Sequence, residues 1–165
     1  MQVEVESLKH WMQQTLIHIP IEWLWNDIQA SLEGVQRLHP AVVECEPILK
    51  KEEMVGSAYQ LKYVSNYRQV RFAFEIMGYV DKPSYKMLKI RSIKGRLFVN
   101  TVELQLFRID SQQTNVRCTV TKSPISRMGR YALPFSSQRI FAAIMDRIRE
   151  IQQTNMVECM TAAAK

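Results

Sequence analysis

Along the 165-residue chain the spacing of apolar and polar positions changes period twice. From Val3 to Ile19 the two classes mix with a rough period of two, clearest at Thr15, Ile17 and Ile19, which predicts a long strand ended by Pro20. Ile21, Leu24, Trp25 and Ile28 then recur at helical spacing behind acidic Glu22, so a short helix is expected over 21–30. A second short helix is expected over 31–38. It stops at His39-Pro40, because the residue before a proline is pushed out of the helical region.

Beyond Pro40 the period is two for roughly eighty residues. Val43 and Cys45 alternate with Glu44 and Glu46; Tyr59, Leu61 and Tyr63 with Gln60 and Lys62; Val70, Phe72, Phe74 and Ile76 with Arg71, Ala73 and Glu75. Leu88, Ile90 and Ser92 follow, then a Lys94-Gly95 turn, a long run from Arg96 to Ile109, a turn at Asp110 to Gln113, and Val116, Cys118 and Val120. Half-buried antiparallel strands joined by short hairpins make a meander. After a loop over Ser123 to Pro134 the period becomes helical again. Phe135, Ile140, Phe141, Ile144, Met145, Ile148 and Ile151 form the apolar stripe of a helix of about five turns, reaching about Gln153, and a frayed tail is expected after about 156.

The expected fold is therefore α+β and a single domain over 1–165. A curved antiparallel sheet of seven strands grips the long C-terminal helix, and two short helices lie between strands 1 and 2. A pocket between such a sheet and the helix is a favoured ligand site.

Apolar residues make up 47% and charged residues 23%, an ordinary globular composition that rules out disorder and repeats. Cys45, Cys118 and Cys159 lie far apart and form no CxxC, so neither a disulfide framework nor a zinc site is indicated, and a reducing cytoplasm is expected. The amino terminus carries glutamates where a secretory signal carries positive charge, and no window reaches the length of a membrane span.

His10, His18 and His39 show no metal-ligand spacing, and there is no GxSxG, P-loop, GxGxxG or Rieske pattern, so no metal and no cofactor is expected. Glu22, Glu44 and Glu46 are read as solvated charges, Trp25 as a core anchor and Trp23 as an exposed residue near a pocket rim. The net charge is +6. Between Arg68 and Arg96 stand eight basic residues, among them Lys86, Lys89 and Arg91, against Glu75 and Asp81 alone, so the central strands are expected to present a basic outer face.

Four strings resemble one family in order and spacing: IHIPIEWLWNDI at 17–28, LHPAVVECE at 38–46, VGSAYQLKY at 55–63 and LPFSSQRIFAAIMDRIREIQ at 133–152. Together they resemble the SRPBCC (START-like, helix-grip) superfamily, in its polyketide cyclase/dehydrase and lipid-transport-like branch. Leu38 departs from the pattern, standing where relatives often carry tryptophan. The resemblance implies the helix-grip fold and does not choose among ligand binders, lipid carriers and cyclases.

Strand alternation gives the inward set Tyr59, Leu61, Tyr63, Phe72, Phe74, Leu88, Ile90, Asn100, Val102, Leu104, Cys118 and Val120, facing Phe141, Ile144 and Met145 of the helix. A cavity so lined takes a hydrophobic small molecule, lipid or polyketide-like, held by one or two hydrogen bonds from Tyr59, Tyr63 or Asn100. Access is expected at the 123–134 loop and the Asp81 to Ser84 hairpin. The alternatives are a cyclase/aromatase-type enzyme, with His39 joining those groups, and an interaction protein using the basic face on anionic membranes. The thin aromatic interleaving on that face argues against nucleic acid. No catalytic residue is assigned.

Overall fold

The computed structural model describes residues 8–28, 42–65, 67–94, 97–133, 145, 146 and 148–154. Its strands are β1 (Lys9–Ile17), β2 (Val42–Leu49), β3 (Ala58–Ser65), β4 (Arg68–Lys82), β5 (Tyr85–Lys94), β6 (Phe98–Arg108) and β7 (Thr114–Pro124). The helices are α1 (Ile21–Ile28), α2 (Arg127–Ala132) and α3, described at 145, 146 and 148–154. All strands pair antiparallel in one sheet of order β1-β7-β6-β5-β4-β3-β2, so β5 is central. The meander from β2 to β7 needs only short connections. A two-residue turn joins Lys82 to Tyr85.

One face of the sheet is the core face. Ile17 and Ile19, the α1 stripe of Ile21, Leu24, Trp25 and Ile28, and Met145, Ile148 and Ile151 of α3 pack with Val102, Leu104 and Leu106 of β6 and Val116, Cys118 and Val120 of β7. Tyr59, Leu61, Phe74 and Ile76 form a second cluster over β3 and β4. α1 starts at Pro20, whose carbonyl accepts from the N–H groups of Trp23 and Leu24 at 3.1 and 3.2 Å. The link before it is pinned by buried Thr114, which donates to the carbonyl of Ile19 at 2.7 Å. These contacts seat α1 as a plug over the end of the sheet where β1 finishes.

The first strand is shorter than its pattern suggests. It ends at Ile17, because His18 and Ile19 bend toward the proline, and its expected start at Val3 lies outside the described residues. So do 29 and 30 of the first expected helix, the whole second helix, the start of the long helix at Phe135 and the tail after 156. The expected loop over Ser123 to Pro134 is, in its described part up to Leu133, strand and helix. β7 runs on to Pro124, and Ser126 caps α2 by accepting from the N–H of Gly129 at 3.1 Å. Gly129 is required there, since an added Cβ would collide with the carbonyl oxygen of Leu97.

Candidate functional site

Residues directly opposite in antiparallel strands point to the same side, so the pairing register sorts the core face into transverse rows. One row runs Lys9, Lys122, Asn100, Ser92, Phe74, Tyr59 across β1, β7, β6, β5, β4 and β3. The next runs Trp11, Val120, Val102, Ile90, Ile76, and a third Gln13, Cys118, Leu104, Leu88, Tyr79. The fourth, toward the α1 plug, runs Thr15, Val116, Leu106, Lys86, Asp81. A register shift between Ile76 and Gly78 changes the parity of β4, which is why Tyr79 and Asp81 face inward beyond it.

Burial along these rows is uneven in an informative way. In a filled sandwich the central strand is the most covered, yet Leu88 and Ile90 of β5 are only partly buried, while Leu104 and Val102 beside them are buried. Leu88 and Ile90 therefore carry less cover than their β6 neighbours. On the β3–β4 side of the core face Tyr59 stacks on Phe74, centroids 5.3 Å apart at 16°. Burial, with a smaller contribution from Cys45, pushes the Tyr59 hydroxyl above its ordinary pKa, so at neutral pH it is a donor and not a base.

Asn100 places an unsatisfied polar group in the first of these rows. It is 3% exposed, and its Oδ1 is buried without a hydrogen-bond partner. An unsatisfied buried carbonyl costs about 1–3 kcal/mol, so the atom invites a donor. Beside it in register, the Lys122 ammonium lies 5.4 Å from the Phe98 ring centroid and 5.8 Å from that of Trp11.

The plugged end has different chemistry. Lys86 is 2% exposed, ion-paired to Asp81 and to Glu22 of α1, the latter at 2.9 Å, with the Trp25 ring centroid 5.8 Å away. Burial alone would lower its pKa, but the bonds to Asp81 and Glu22 outweigh that and raise it. The Lys86 hydrogen bond holds the Asp81 carboxyl below its usual range, with smaller pulls from Trp25 and Tyr79. Glu22 also reaches Arg108 at 3.6 Å, so it is an anchor and not a free surface charge. The Lys86 ammonium ties the Asp81 end of its hairpin to α1. Sequence parity held the missing signal: Lys86 has the phase of Leu88 and Ile90, and only its charge argued against the inner face.

Of the expected lining residues, Tyr59, Leu61, Phe74, Asn100, Val102, Leu104, Cys118, Val120 and Met145 are buried on the core side. Leu88 and Ile90 are partly buried and pack against the core cluster. The side chains of Tyr63 and Phe72, and the whole of Phe141, lie outside the described residues, as does His39. Trp25 is buried and Trp23 exposed. Two cations of the expected basic face are paired on it, Lys89 with Glu103 at 3.0 Å and Arg91 with Glu75 at 2.9 Å, and nearby Lys62 pairs with Glu44 at 3.1 Å. Among the described residues no three His, Cys, Asp or Glu side chains converge to hold a metal, and no helix is long and apolar enough to cross a membrane.

No protein-family model and no curated protein matches the chain by sequence. Solved structures match it in shape. The Zhui aromatase/cyclase from Streptomyces sp. R1128 superposes with a TM-score of 0.68 at 12% identity, covering 91% of this chain and 96% of that one. Norcoclaurine synthase from Thalictrum flavum, in complex with dopamine and hydroxybenzaldehyde, gives 0.64 at 12% identity over 88% and 87%. Major latex-like protein 151 from Panax ginseng gives 0.57 at 12% identity over 88% and 97%. The chain shares the fold of these structures.

Proposed function

We propose that the concave face binds and carries a hydrophobic small molecule, lipid or polyketide-like, bearing a hydroxyl or comparable donor for Asn100. The unpartnered Oδ1 of Asn100, buried beside the apolar rows of the core face, carries this reading. Apolar walls at Val102, Ile90 and Leu88 supply affinity, and one placed acceptor supplies orientation. A matching donor removes a desolvation cost of about 1–3 kcal/mol, which is about five- to 150-fold in affinity. A cytoplasmic location belongs to the same reading, in keeping with the free thiols of Cys45 and Cys118.

Catalysis of the cyclase kind is the second reading, since two structures of this shape are named as enzymes. Against it, the inward carboxylate of the described sheet, Asp81, is engaged by Lys86, and Tyr59 stays protonated. General base work needs a group free to take a proton near the bound molecule. The test is fluorescent-probe displacement by matched pairs of aromatic compounds with and without a hydroxyl. Binding of neither member sinks the proposal; conversion of the bound compound selects the enzyme.

A further inference from the structure

The sheet has two edges, β1 and β2, and among the described residues neither has a strand beyond it. An edge strand leaves the N–H and C=O groups of alternate residues outside the ladder, and proteins guard such edges with charges, proline or bulges. β2 carries all three guards: Glu44 and Glu46, Pro47, and breaks in register between Val42 and Glu44 and between Pro47 and Leu49. β1 is guarded far less. It pairs with β7 in unbroken register from Lys9 to Ile17, holds no acid, proline or glycine, and has its lysine at one end.

The outer side chains of β1 select what pairs with it. Leu8, just before the strand, Met12 and Leu16 lie four apart on the outer face and are 54%, 60% and 47% exposed. Antiparallel pairing with β1 of a second copy, about a two-fold axis through Met12, sets Met12 against the second copy's Met12 and Leu8 against the second copy's Leu16. The exposed apolar groups then cover one another. Moving the axis one residue, to Gln13, sets Met12 against Gln14 and Leu16 against His10, so the apolar match belongs to one register. Charge agrees with it: Lys9 faces Thr15 and His10 faces Gln14, and no like charges meet. Gln14 is already held toward β7, its Oε1 accepting from Arg117 at 3.3 Å.

We propose that the protein self-associates through β1, in a two-fold dimer whose sheets join edge to edge across Met12. The stretch from Leu8 to Leu16 is shorter than the about 20–30 residues a side of a standard interface, so the dimer is weak and reversible. It stands independently of what the core face binds.

Sedimentation velocity from about 10 μM to about 1 mM tests this, the range in which so small an interface associates. A reversible monomer–dimer equilibrium is expected, shifted toward dimer by salt because each copy carries a net charge of +6. Met12→Lys places like charges on the axis and lowers the association constant about tenfold, with Tm unchanged since the position is exposed. Oxidative cross-linking reads the register. Met12→Cys sets two thiols on residues about 4.5–5.5 Å apart at Cα and gives a disulfide-linked dimer that the parent chain does not form, whereas Gln14→Cys, about 14 Å from its copy, gives none. A chain that stays monomeric throughout overturns the proposal and leaves the edge to a strand from another protein. A dimer that survives Met12→Lys, or Gln14→Cys that cross-links as readily as Met12→Cys, also overturns it.

Discussion

Lys86 on β5 and Asp81 on β4 stand directly opposite each other and pair on the inner face, where Glu22 of α1 closes on the same ammonium at 2.9 Å. Three elements meet at one nitrogen. Removing it strands two carboxylates, but both are more than a third exposed and can hydrate, so the cost falls below that of a fully buried break. Lys86→Met should destabilise the fold by about 1–3 kcal/mol in urea unfolding. Adding Asp81→Leu should restore part of it. A single variant as stable as the parent would contradict the anchoring role.

The same pair sets a pH dependence. Because Lys86 depresses the folded pKa of Asp81, its contribution is complete above the unfolded value near 4 and is lost as pH falls through the lower folded value. Lys86 is raised, so its share persists below about 10.5 and fails only above that. The Tm difference between parent and Asp81→Asn should be flat between about pH 5 and 8 and shrink below about 4. A difference that widens in acid has the wrong sign for this account.

Gly129→Ala pits two effects against each other. Alanine favours a helix by about 1 kcal/mol, while the collision with the Leu97 carbonyl costs about 1–3 kcal/mol. The collision should win, since the obstacle is backbone. Met128→Ala, exposed on the same helix, should be neutral by the same thermal unfolding measurement.

Cys118 is fully buried on β7, and burial pushes its thiol up to about 12. At about pH 8 it should resist alkylation in the folded protein and react on unfolding, as read by peptide mass mapping. Ready labelling of native Cys118 would mean that solvent reaches the wall where it is placed.

How much of this the sequence carried depends on what each residue's neighbours had to be. Alternation through Leu88, Ile90, Val102, Leu104, Cys118 and Val120 located the inner face, because a half-buried strand can satisfy one face in only one phase. The α1 stripe marked Trp25 as buried for the same reason. The bulge at Ile76 to Gly78 left no such mark: one extra residue shifts parity without changing composition, so Tyr79 and Asp81 could not be placed. Lys86 was hidden by its charge, since its burial depends on acids supplied by β4 and α1. α2 is six residues long, too short for its periodicity to stand out between Pro124 and Pro134.

The most direct measurement compares 1-naphthol with naphthalene, by calorimetric or probe-displacement affinity, in the parent and in Asn100→Leu. Leucine fills the same space and removes the unsatisfied carbonyl, so the empty variant should be more stable by about 1–3 kcal/mol while its preference for the hydroxyl compound, about five- to 150-fold in the parent, collapses. A hydroxyl preference that survives the substitution would contradict the assignment of Asn100 as the group that orients the ligand.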